Sequence, residues 1–318
     1  MFHHAIITRM KQITNRLLMI EPVAFRFNEQ TAVNNYYQQH IESMTPSMAQ
    51  EMALKEFNDF VQKLRNCGIH VTVVKDTLEP DTPDSIFPNN WISFHEDGRV
   101  GLYPMYAKNR RLERRMEVLE KVFTEAGARI KEIVDFTHFE ERDLFLEGTG
   151  SMLLDRQNKI CYAALSLRTE KEILEDFCRK FEFELVGFVS NQTFEGKRLP
   201  IYHTNVMMCL ANHYAVICLD TIDNPEERQM VVNKLKQTNK EIIEITEEQK
   251  GHFAGNMLQV MGDQPYLVMS SSAFQSLTQD QIARIEKYNP IIHSSLNTIE
   301  ACGGGSARCM MAEVFLPE

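Results

Sequence analysis

Several features that define other protein classes are absent from this chain. Basic residues are not in excess: 34 Lys and Arg stand against 44 Asp and Glu, a formal net charge of −10. A nucleic-acid-binding protein needs a basic face to displace counterions from phosphates, so this charge argues against that class. No apolar run approaches the roughly 18–20 residues of a membrane span. The N-terminal segment MFHHAIITRMKQ lacks the apolar block of a signal peptide. We therefore expect a cytoplasmic protein with no membrane partner.

Paired cysteines are also absent. The seven cysteines lie at positions 67, 161, 178, 209, 218, 302 and 309, and no two have the C-x-x-C spacing of zinc or redox sites. In a reducing compartment most should be free thiols, and a buried cysteine usually acts as a small hydrophobe. Cys309 stands apart because it follows three glycines in GGGSARCMM. Four roles are open to it: buried filler, disulfide partner, metal ligand or nucleophile. Cys302 is the rival nucleophile.

What the chain does contain is a repeated hairpin pattern. Two β-rich apolar runs flank a polar turn in four stretches, which begin at Asn89, Gly148, Thr204 and Gly255. A fifth hairpin is split, so that GGGSARCMMAEVFLP at the C-terminus would pair with RLLMIEP near the N-terminus. Helices with start signals lie between the strands; the signals are at Thr45, Thr169, Asn224 and Thr278. The unit strand–strand–helix–strand therefore recurs about five times. This repeat predicts an α/β ring that forms one domain, residues 1–318, closed by the two terminal strands.

Polar residues whose side chains could take part in catalysis or binding lie where these hairpins begin. The positions hold Asn89, Asn90, Glu147, His203, Asn205, Asn256 and Cys309. In a ring the hairpin starts surround the axis, so these residues would converge. A nearby imidazolium helps a thiol to ionise, and a carboxylate helps a histidine to hold a proton for transfer. Each residue alone has a structural alternative: a core cysteine, a hydrogen-bonded histidine, a Glu-Gly turn or an Asx-turn. Their combination at matching repeat positions favours catalysis.

With these residues the chain resembles the pentein, or guanidino-group-modifying, superfamily of arginine deiminase, dimethylarginine hydrolase, agmatine deiminase and the amidinotransferases. The resemblance covers nearly the whole chain and rests on the glycine run before Cys309, the HTN motif and the Glu-Gly hairpin. The stretches FPNNWISFH, LEGTGSMLLD and HTNVMM are most similar to the citrulline-hydrolysing branch. The resemblance implies a five-bladed α/β propeller of pseudo-symmetric ββαβ units.

The resemblance also implies roles for individual residues. Cys309 matches the nucleophile, His203 the general acid/base, and Glu147 the carboxylate that orients the substrate and partners the histidine. The stretch SLRT points to Arg168 as a ligand of the substrate α-carboxylate, and MYAKNRRLERR points to Arg110 or Arg111. The segment NRRLERRMEVLEKVFTEAG is predicted to form a strongly charged amphipathic helix, so for the second stretch a solvated basic helix face is the alternative. The chemistry requires no metal or organic cofactor.

The chain departs from the arginine deiminases at two amides. Those enzymes carry Arg-Asp where this chain has Asn89-Asn90, and His-x-Asp where it has His203-Thr204-Asn205. A buried carboxylate suits a guanidinium cation, whereas an asparagine offers both a donor and an acceptor and suits a neutral ureido group. We therefore expect a preference for citrulline over arginine, with Asn90 and Asn205 holding the ureido group.

The expected reaction is hydrolysis of citrulline, a small-molecule substrate, to ornithine, CO2 and ammonia through a covalent thiol adduct. Three alternatives are open: an amidine hydrolase of the arginine deiminase or dimethylarginine hydrolase type, an amidinotransferase, and a non-catalytic pentein binding protein. The segment VSNQTFEGKRLPIYH, which leads into His203, is the candidate lid. A homo-oligomer is compatible with the sequence.

Overall fold

The structure is a computed structural model that describes residues 10–318. Residues 1–9, which supply most of the segment used above to argue against a signal peptide, lie outside the described residues. The strands are β1 (Arg16–Glu21), β2 (His70–Lys75), β3 (Ile92–Phe94), β4 (Arg99–Leu102), β5 (Glu132–Asp135), β6 (Leu153–Asp155), β7 (Ile160–Leu165), β8 (Glu184–Val189), β9 (Asn191–Phe194), β10 (Lys197–Pro200), β11 (Met208–Leu210), β12 (Tyr214–Ile217), β13 (Glu241–Glu244), β14 (Leu258–Met261), β15 (Pro265–Ser270), β16 (Ile291–Ser294) and β17 (Ala312–Glu313).

Helices connect most of these strands. The α-helices are α1 (Glu29–Ala32), α2 (Pro46–Asn66), α3 (Met116–Ala126), α4 (Gly148–Ser151), α5 (Lys171–Phe181), α6 (Thr204–Met207), α7 (Pro225–Gln237), α8 (Glu247–Gly251), α9 (Ser271–Ser276), α10 (Gln279–Glu286) and α11 (Asn297–Gly303). The 3₁₀ turns are Pro88–Asn90, Asn109–Glu113, Thr137–Arg142, Leu219–Thr221 and Ala307–Met310. The molecule is thus a mixed α/β protein.

The strands form five three-stranded sheets of the same design within the described residues. Each has an antiparallel hairpin pair and a parallel pair; the orders are β17-β1-β2, β3-β4-β5, β6-β7-β8, β11-β12-β13 and β14-β15-β16. The two parallel strands of each sheet are joined through helix, because parallel strands need a long crossover. The ββαβ unit read from the sequence therefore occurs five times.

The two termini share one of these sheets, as the split hairpin predicted. β17 is antiparallel to β1, with Leu17 opposite Glu313 and Leu18 opposite Ala312. The pairing continues beyond the strand, because the Val314 amide donates to the carbonyl of Arg16 at 2.9 Å. Closure of this sheet places the catalytic candidate Cys309 three residues before β17.

Three of the four helix starts were predicted correctly. Thr45 and Thr278 cap α2 and α10, and Asn224 caps α7, each through its side-chain oxygen. The capping box at Thr169 was wrong. Helix α5 begins at Lys171 with Glu170 as N-cap and no side-chain cap, while Thr169 forms isolated bridges with Leu146 and Ser166. Its intended partner Glu172 pairs instead with Arg142, at 2.7 Å.

The basic helix predicted over NRRLERRMEVLEKVFTEAG is broken. Residues Asn109–Glu113 form a 3₁₀ turn, and α3 starts only at Met116. The break has a physical cause, since Arg110 and Glu113 are both buried and joined by hydrogen bonds of 2.9 and 3.0 Å. Turning this pair inward takes Arg110 off the helix and towards the candidate site.

Short helical turns precede the inner strands and touch each other. The turn Pro88–Asn90 contacts both α4 and the turn Ala307–Met310, and α4 contacts α6. Asn89, Asn205 and Cys309 each lie three residues before their strand begins, at Ile92, Met208 and Ala312. Residues distant in the sequence therefore meet at one place, as the repeat pattern predicted.

Candidate active site

A small cavity lies where these turns converge. It leaves only about 10 Å³ of free volume and is lined by Thr31, Asn35, Asp84, Phe87, Asn90, Arg110, Arg168, Tyr202, His203, Gly303, Gly304, Gly305 and Cys309. The thiol of Cys309 is on its wall, although only 3% of the residue is exposed to solvent. The cavity thus brings a sulfur, an imidazole and two guanidinium groups around one small volume.

Two amides hold the thiol of Cys309. The Nδ2 of Asn205 lies 3.4 Å from Sγ, and the Nδ2 of Asn256 lies 3.2 Å from it. Both asparagines are fully buried. Within the described part of the chain, the hydrogen bonds of the sulfur come from these amides and not from His203. Two N–H donors therefore converge on one sulfur, where they can hydrogen-bond a thiolate formed during a reaction.

His203 and Glu147 form a buried pair beside the thiol. The Nε2–H of His203 donates to Oε2 of Glu147 at 2.8 Å, and the amide of Tyr106 donates to the other carboxylate oxygen at 2.9 Å. Burial opposes the charged form of Glu147, but Arg168 and His203 outweigh it and lower the pKa of this carboxyl. Burial also lowers the pKa of His203, against the pull of Glu147, so the imidazole is neutral near pH 7. Nδ1 is then its free basic nitrogen.

Both arginines of the cavity are already bonded to protein groups. Arg110 is bidentate to Glu113 and donates to the carbonyl of Phe87 and, at 2.8 Å, to Oδ1 of Asn90. Arg168 donates to the carbonyl of Thr31 at 2.8 Å and also to Asn34. Its remaining Nη1 lies 3.5 Å from Glu147. These cations are positioned for a carboxylate, but a substrate must displace some of these bonds to use them fully.

Asp84 is a cavity residue that the sequence reasoning missed. Its Oδ2 accepts from Asn28 at 2.7 Å and from Thr31 at 3.1 Å, while Oδ1 is buried without a partner. Burial raises the pKa of Asp84, and Arg110 partly offsets that rise. The residue lies five positions before Asn89 in PDSIFPNN, upstream of the predicted hairpin start. The cavity therefore keeps an acidic group even though its two amide positions are neutral.

Several other buried polar atoms near the cavity also lack a protein partner. They include Nδ2 of Asn90, Oδ1 of Asn205 and Nδ2 of Asn34. Because Arg110 holds the oxygen of Asn90, the amide of Asn90 presents its donor. Because the nitrogen of Asn205 faces the thiol, Asn205 presents its acceptor. Buried polar groups without partners in a folded protein call for an explanation, and a bound ligand supplies one.

Four predicted site residues are not part of the cavity wall. Glu147 and Asn205 lie behind it, bonded to His203 and Cys309, whereas Asn89 and Arg111 have other partners. The amide of Asn89 donates to the hydroxyl of Thr149 at 3.4 Å. Arg111 donates to the carbonyl of Met105 at 2.9 Å, and its guanidinium lies 5.6 Å from the ring centroid of Phe145. Of the two arginines considered in that stretch, the structure therefore brings Arg110 to the cavity.

The cavity is covered by residues 28–39, which we call the covering segment. Its Asn35 amide lies 3.4 Å from the carbonyl of Gly303 and 3.3 Å from that of Gly304, and the Gln39 amide donates to Ala301 at 2.7 Å. The stretch proposed as a lid from sequence forms the hairpin β9–β10, and Phe194 at its end stacks on Tyr36 with centroids 4.7 Å apart. The hairpin thus contacts the covering segment, which itself supplies Thr31 and Asn35 to the cavity wall.

Residues 10–318 contain neither a metal-site cluster nor a membrane-spanning helix. Among residues 10–318 no cluster of three or more His, Cys, Asp or Glu side chains has the arrangement of a metal site. None of the helices in that range is both long and apolar enough to cross a membrane. All seven cysteines are free thiols.

The fold and this cluster define a protein of the pentein, guanidino-group-modifying superfamily. More narrowly, the chain belongs to the family described as N,N dimethylarginine dimethylhydrolase, eukaryotic, whose model matches residues 21–316. No curated protein sequence shows a significant match to the chain.

Solved structures share the fold at low sequence identity. Apo ArgZ, described as an arginine dihydrolase from the ornithine-ammonia cycle in cyanobacteria, is 20% identical with a TM-score of 0.73, over 95% of this chain but 41% of that one. The substrate-bound N-terminal domain of ArgZ, as a cysteine-to-serine variant, is 19% identical with a TM-score of 0.69, over 95% and 99% of the two chains. A dimethylarginine dimethylaminohydrolase adduct with S-methyl-L-thiocitrulline is 14% identical with a TM-score of 0.62, over 95% and 99%. The chain thus spans less than half of ArgZ but nearly all of the ArgZ N-terminal domain.

Proposed function

We propose that this protein is a cysteine-dependent hydrolase that cleaves a C–N bond at the guanidino carbon of an arginine-type amino acid. The observation that carries the proposal is the single cavity that joins the Cys309 thiol, the His203–Glu147 pair and two arginines. The family match and the named activities of the structural neighbours support this amidine hydrolase reading better than the citrulline reading favoured by the sequence.

The charges of the cavity explain why a guanidinium fits. The expectation of citrulline rested on the loss of two aspartates, at Asn90 and Asn205, with Glu147 as the remaining carboxylate. Asp84 adds a second carboxylate on the cavity wall, and the unpartnered Oδ1 of Asn205 is a further acceptor. We place the substrate α-carboxylate at Arg110 and Arg168, because guanidinium groups bind carboxylates in bidentate fashion. Asp84 then offers its free oxygen to a cationic group of the same substrate.

The proposed chemistry proceeds through a covalent adduct. His203 accepts the thiol proton at Nδ1 as the sulfur of Cys309 adds to the guanidino carbon, and the imidazolium then gives that proton to the departing amine as its C–N bond breaks. Water, deprotonated by His203, then adds to the adduct, and the C–S bond breaks to return the thiolate. Arginine and water would yield citrulline and ammonium in this cycle. Glu147 holds the imidazole by its Nε2–H and stabilises the imidazolium when it forms.

A ureido group is a second candidate, favoured by the orientation of Asn90. Its free Nδ2 can donate a hydrogen bond. A ureido carbonyl can accept that bond, whereas a guanidinium has no acceptor atom. Hydrolysis of that group would give ornithine, CO2 and ammonia. Citrulline is then either the substrate of a separate reaction or the intermediate of a double hydrolysis.

The deciding experiment supplies purified protein with L-arginine, asymmetric dimethylarginine and L-citrulline separately and measures released amines and amino acids. Consumption of arginine or dimethylarginine supports the amidine hydrolase. Ornithine from citrulline alone would reverse the ranking of the two candidates. Turnover of any of these by a Cys309→Ala variant at the parent rate would contradict the thiol mechanism.

The finer architecture is also a proposal. We infer that the five sheets surround a common axis as a five-bladed propeller, which the shared sheet of the two termini and the contacts between successive turns support. We further propose a single domain over residues 1–318, in line with a family match that spans 21–316. The cytoplasmic location, the small-molecule partner, homo-oligomer formation and the lack of a cofactor remain predictions.

A further inference from the structure

We propose that Asn256, together with Asn205, stabilises the reactive thiolate of Cys309 and fixes the direction of its sulfur. This inference rests on Cys309 being the nucleophile of the proposed function. Asn256 is not one of the residues to which we assign substrate contacts; it acts on the reacting sulfur itself, whichever substrate is used.

The side chain of Asn256 has no rotational freedom in the fold. Its Oδ1 accepts the amide of Arg308 at 3.0 Å, and its Nδ2 donates to the carbonyl of Asn205 at 3.1 Å. The second hydrogen of Nδ2 is then left for Sγ, at 3.2 Å. Because Oδ1 must face the Arg308 amide, the amide group cannot flip without losing that bond. The donor to the sulfur is therefore set by the backbone just before Cys309.

The backbone around Asn256 is built for this contact. A Cβ on Gly255 would lie 2.3 Å from the carbonyl oxygen of Val206, so only glycine lets this turn pack directly on α6. That close approach brings Asn256 beside Asn205, and the side-chain amides of both residues then reach Sγ of Cys309. The fold thus brings the turns of three different units to one sulfur atom.

The amides are the groups bonded to the sulfur before a substrate arrives. His203 is bonded to Glu147 and is neutral because it is buried, so in this state it provides no positive charge next to the thiol. Hydrogen bonds to a charged group are stronger than those to its neutral form, so two N–H donors shift the equilibrium towards the thiolate. Loss of one such bond should lower the thiolate fraction about tenfold.

The test measures alkylation of Cys309 by iodoacetamide in the absence of substrate, from pH 5 to pH 10, with peptide mass spectrometry to count this cysteine alone. We expect Asn256→Ala to slow alkylation at pH 7 about tenfold and to move the rate profile to higher pH. Asn289→Ala is the matched control. Asn289 is equally buried but bonds to Tyr214 and Gln259, and its loss should leave the profile unchanged.

A second variant keeps the test decisive if the alanine protein does not fold. Asn256→Asp has the same shape and keeps the acceptor for Arg308, but its carboxylate replaces the donor to sulfur, so alkylation should again slow and shift to higher pH. A parent rate and parent pH profile in a folded variant would overturn the proposal. Since no substrate is present, this outcome is separate from a failure of the proposed function, which would show as turnover without Cys309.

Discussion

At the scale of single residues, Gly150 sets the clearance around the imidazole of His203. A Cβ at this position would lie 2.4 Å from Nδ2 of Asn90 and 2.8 Å from Nδ1 of His203. Both atoms are the free ends of their side chains in the site, so Gly150→Ala must displace one or both. We expect a loss of at least about 100-fold in kcat/KM, since a displacement near 1 Å in a catalytic group has an effect of that order. Steady-state kinetics with the best substrate provides the measurement.

Gly187→Ala is the control for that change. The nearest atoms to a Cβ there belong to Leu185 and lie 3.8–4.0 Å away, which is ordinary van der Waals contact. This variant should keep its activity. If Gly150→Ala is as active as Gly187→Ala, the placement of His203 and Asn90 beside Gly150 is wrong.

Glu300 should make stability depend on pH. Burial raises its pKa to about 7, partly offset by hydrogen bonds from Ser270 and from Ser306, which directly precedes the turn Ala307–Met310. The folded protein binds this proton more tightly than the unfolded chain does, so the protonated carboxyl stabilises the fold at pH values below the pKa of the unfolded chain. That stabilisation is lost as the pH rises through the pKa of the folded protein. The parent protein should therefore lose about 3 kcal/mol from this group between pH 4.5 and 8. Glu300→Gln cannot ionise and should not show that loss.

Urea unfolding of the two proteins at pH 5 and pH 8 measures this difference. Glu244→Gln, a change at an exposed residue, serves as control and should follow the parent curve. An identical pH dependence in parent and Glu300→Gln would show that the carboxyl of Glu300 is ionised throughout.

Sequence reasoning found the residues that stand at the start of repeated hairpins and missed those that do not. Cys309, His203 and Asn90 were selected because the repeat placed them at one ring position, and all three line the cavity. Asp84 precedes its hairpin by several residues, and only the tertiary fold turns it inward. Asn256 was noted as a hairpin start, but its bond to sulfur depends on the close contact of two backbones, which no periodicity shows.

At the scale of elements, the covering segment contacts the hairpin β9–β10 through a stacked aromatic pair. Tyr36 and Phe194 stack with centroids 4.7 Å apart, and such a pair contributes about 0.5–1.5 kcal/mol. Phe194→Ala should therefore increase opening of residues 28–39 by roughly 2- to 10-fold. Hydrogen–deuterium exchange of peptides from this segment measures that change.

The matched control replaces another stacked phenylalanine away from the segment. Phe274 stacks on His293 with centroids 4.3 Å apart, and Phe274→Ala should leave exchange in residues 28–39 unchanged. Equal exchange in parent and Phe194→Ala would mean that the other contacts of the segment, among them its hydrogen bonds to Ala301, Gly304 and Arg168, hold it closed without this stack.

Elements without periodicity were the least predictable. The covering segment carries no amphipathic or alternating pattern, so nothing in its sequence showed that it would close the cavity. The charge pattern predicted that the helix would begin before Arg110. Because Arg110 and Glu113 are buried as a pair, the chain forms a 3₁₀ turn there and the helix begins only at Met116. In both cases tertiary contacts override local preference.

At the scale of the whole molecule, the site depends on closure of the chain by its ends. β17 begins two residues after the turn Ala307–Met310, which contains Cys309. The residues that follow β17, Val314, Phe315 and Leu316, are all buried. Burial of such side chains contributes about 1.5–3 kcal/mol each, and together this approaches the whole stability of a typical domain, about 5–15 kcal/mol. The residues that close the fold are therefore also those that hold Cys309 in place.

Removal of residues 312–318 should then abolish the site as well as the sheet. We expect the truncated protein to lose its cooperative unfolding transition and to alkylate at all seven cysteines rather than selectively. Removal of Glu318 alone, which is exposed, should change neither property. Thermal unfolding measures the cooperativity of the transition. Mass spectrometry after brief iodoacetamide treatment shows which cysteines have been alkylated. A seven-residue truncation that still unfolds cooperatively and alkylates first at Cys309 would show that β1 and β2 complete the fold without their C-terminal partner.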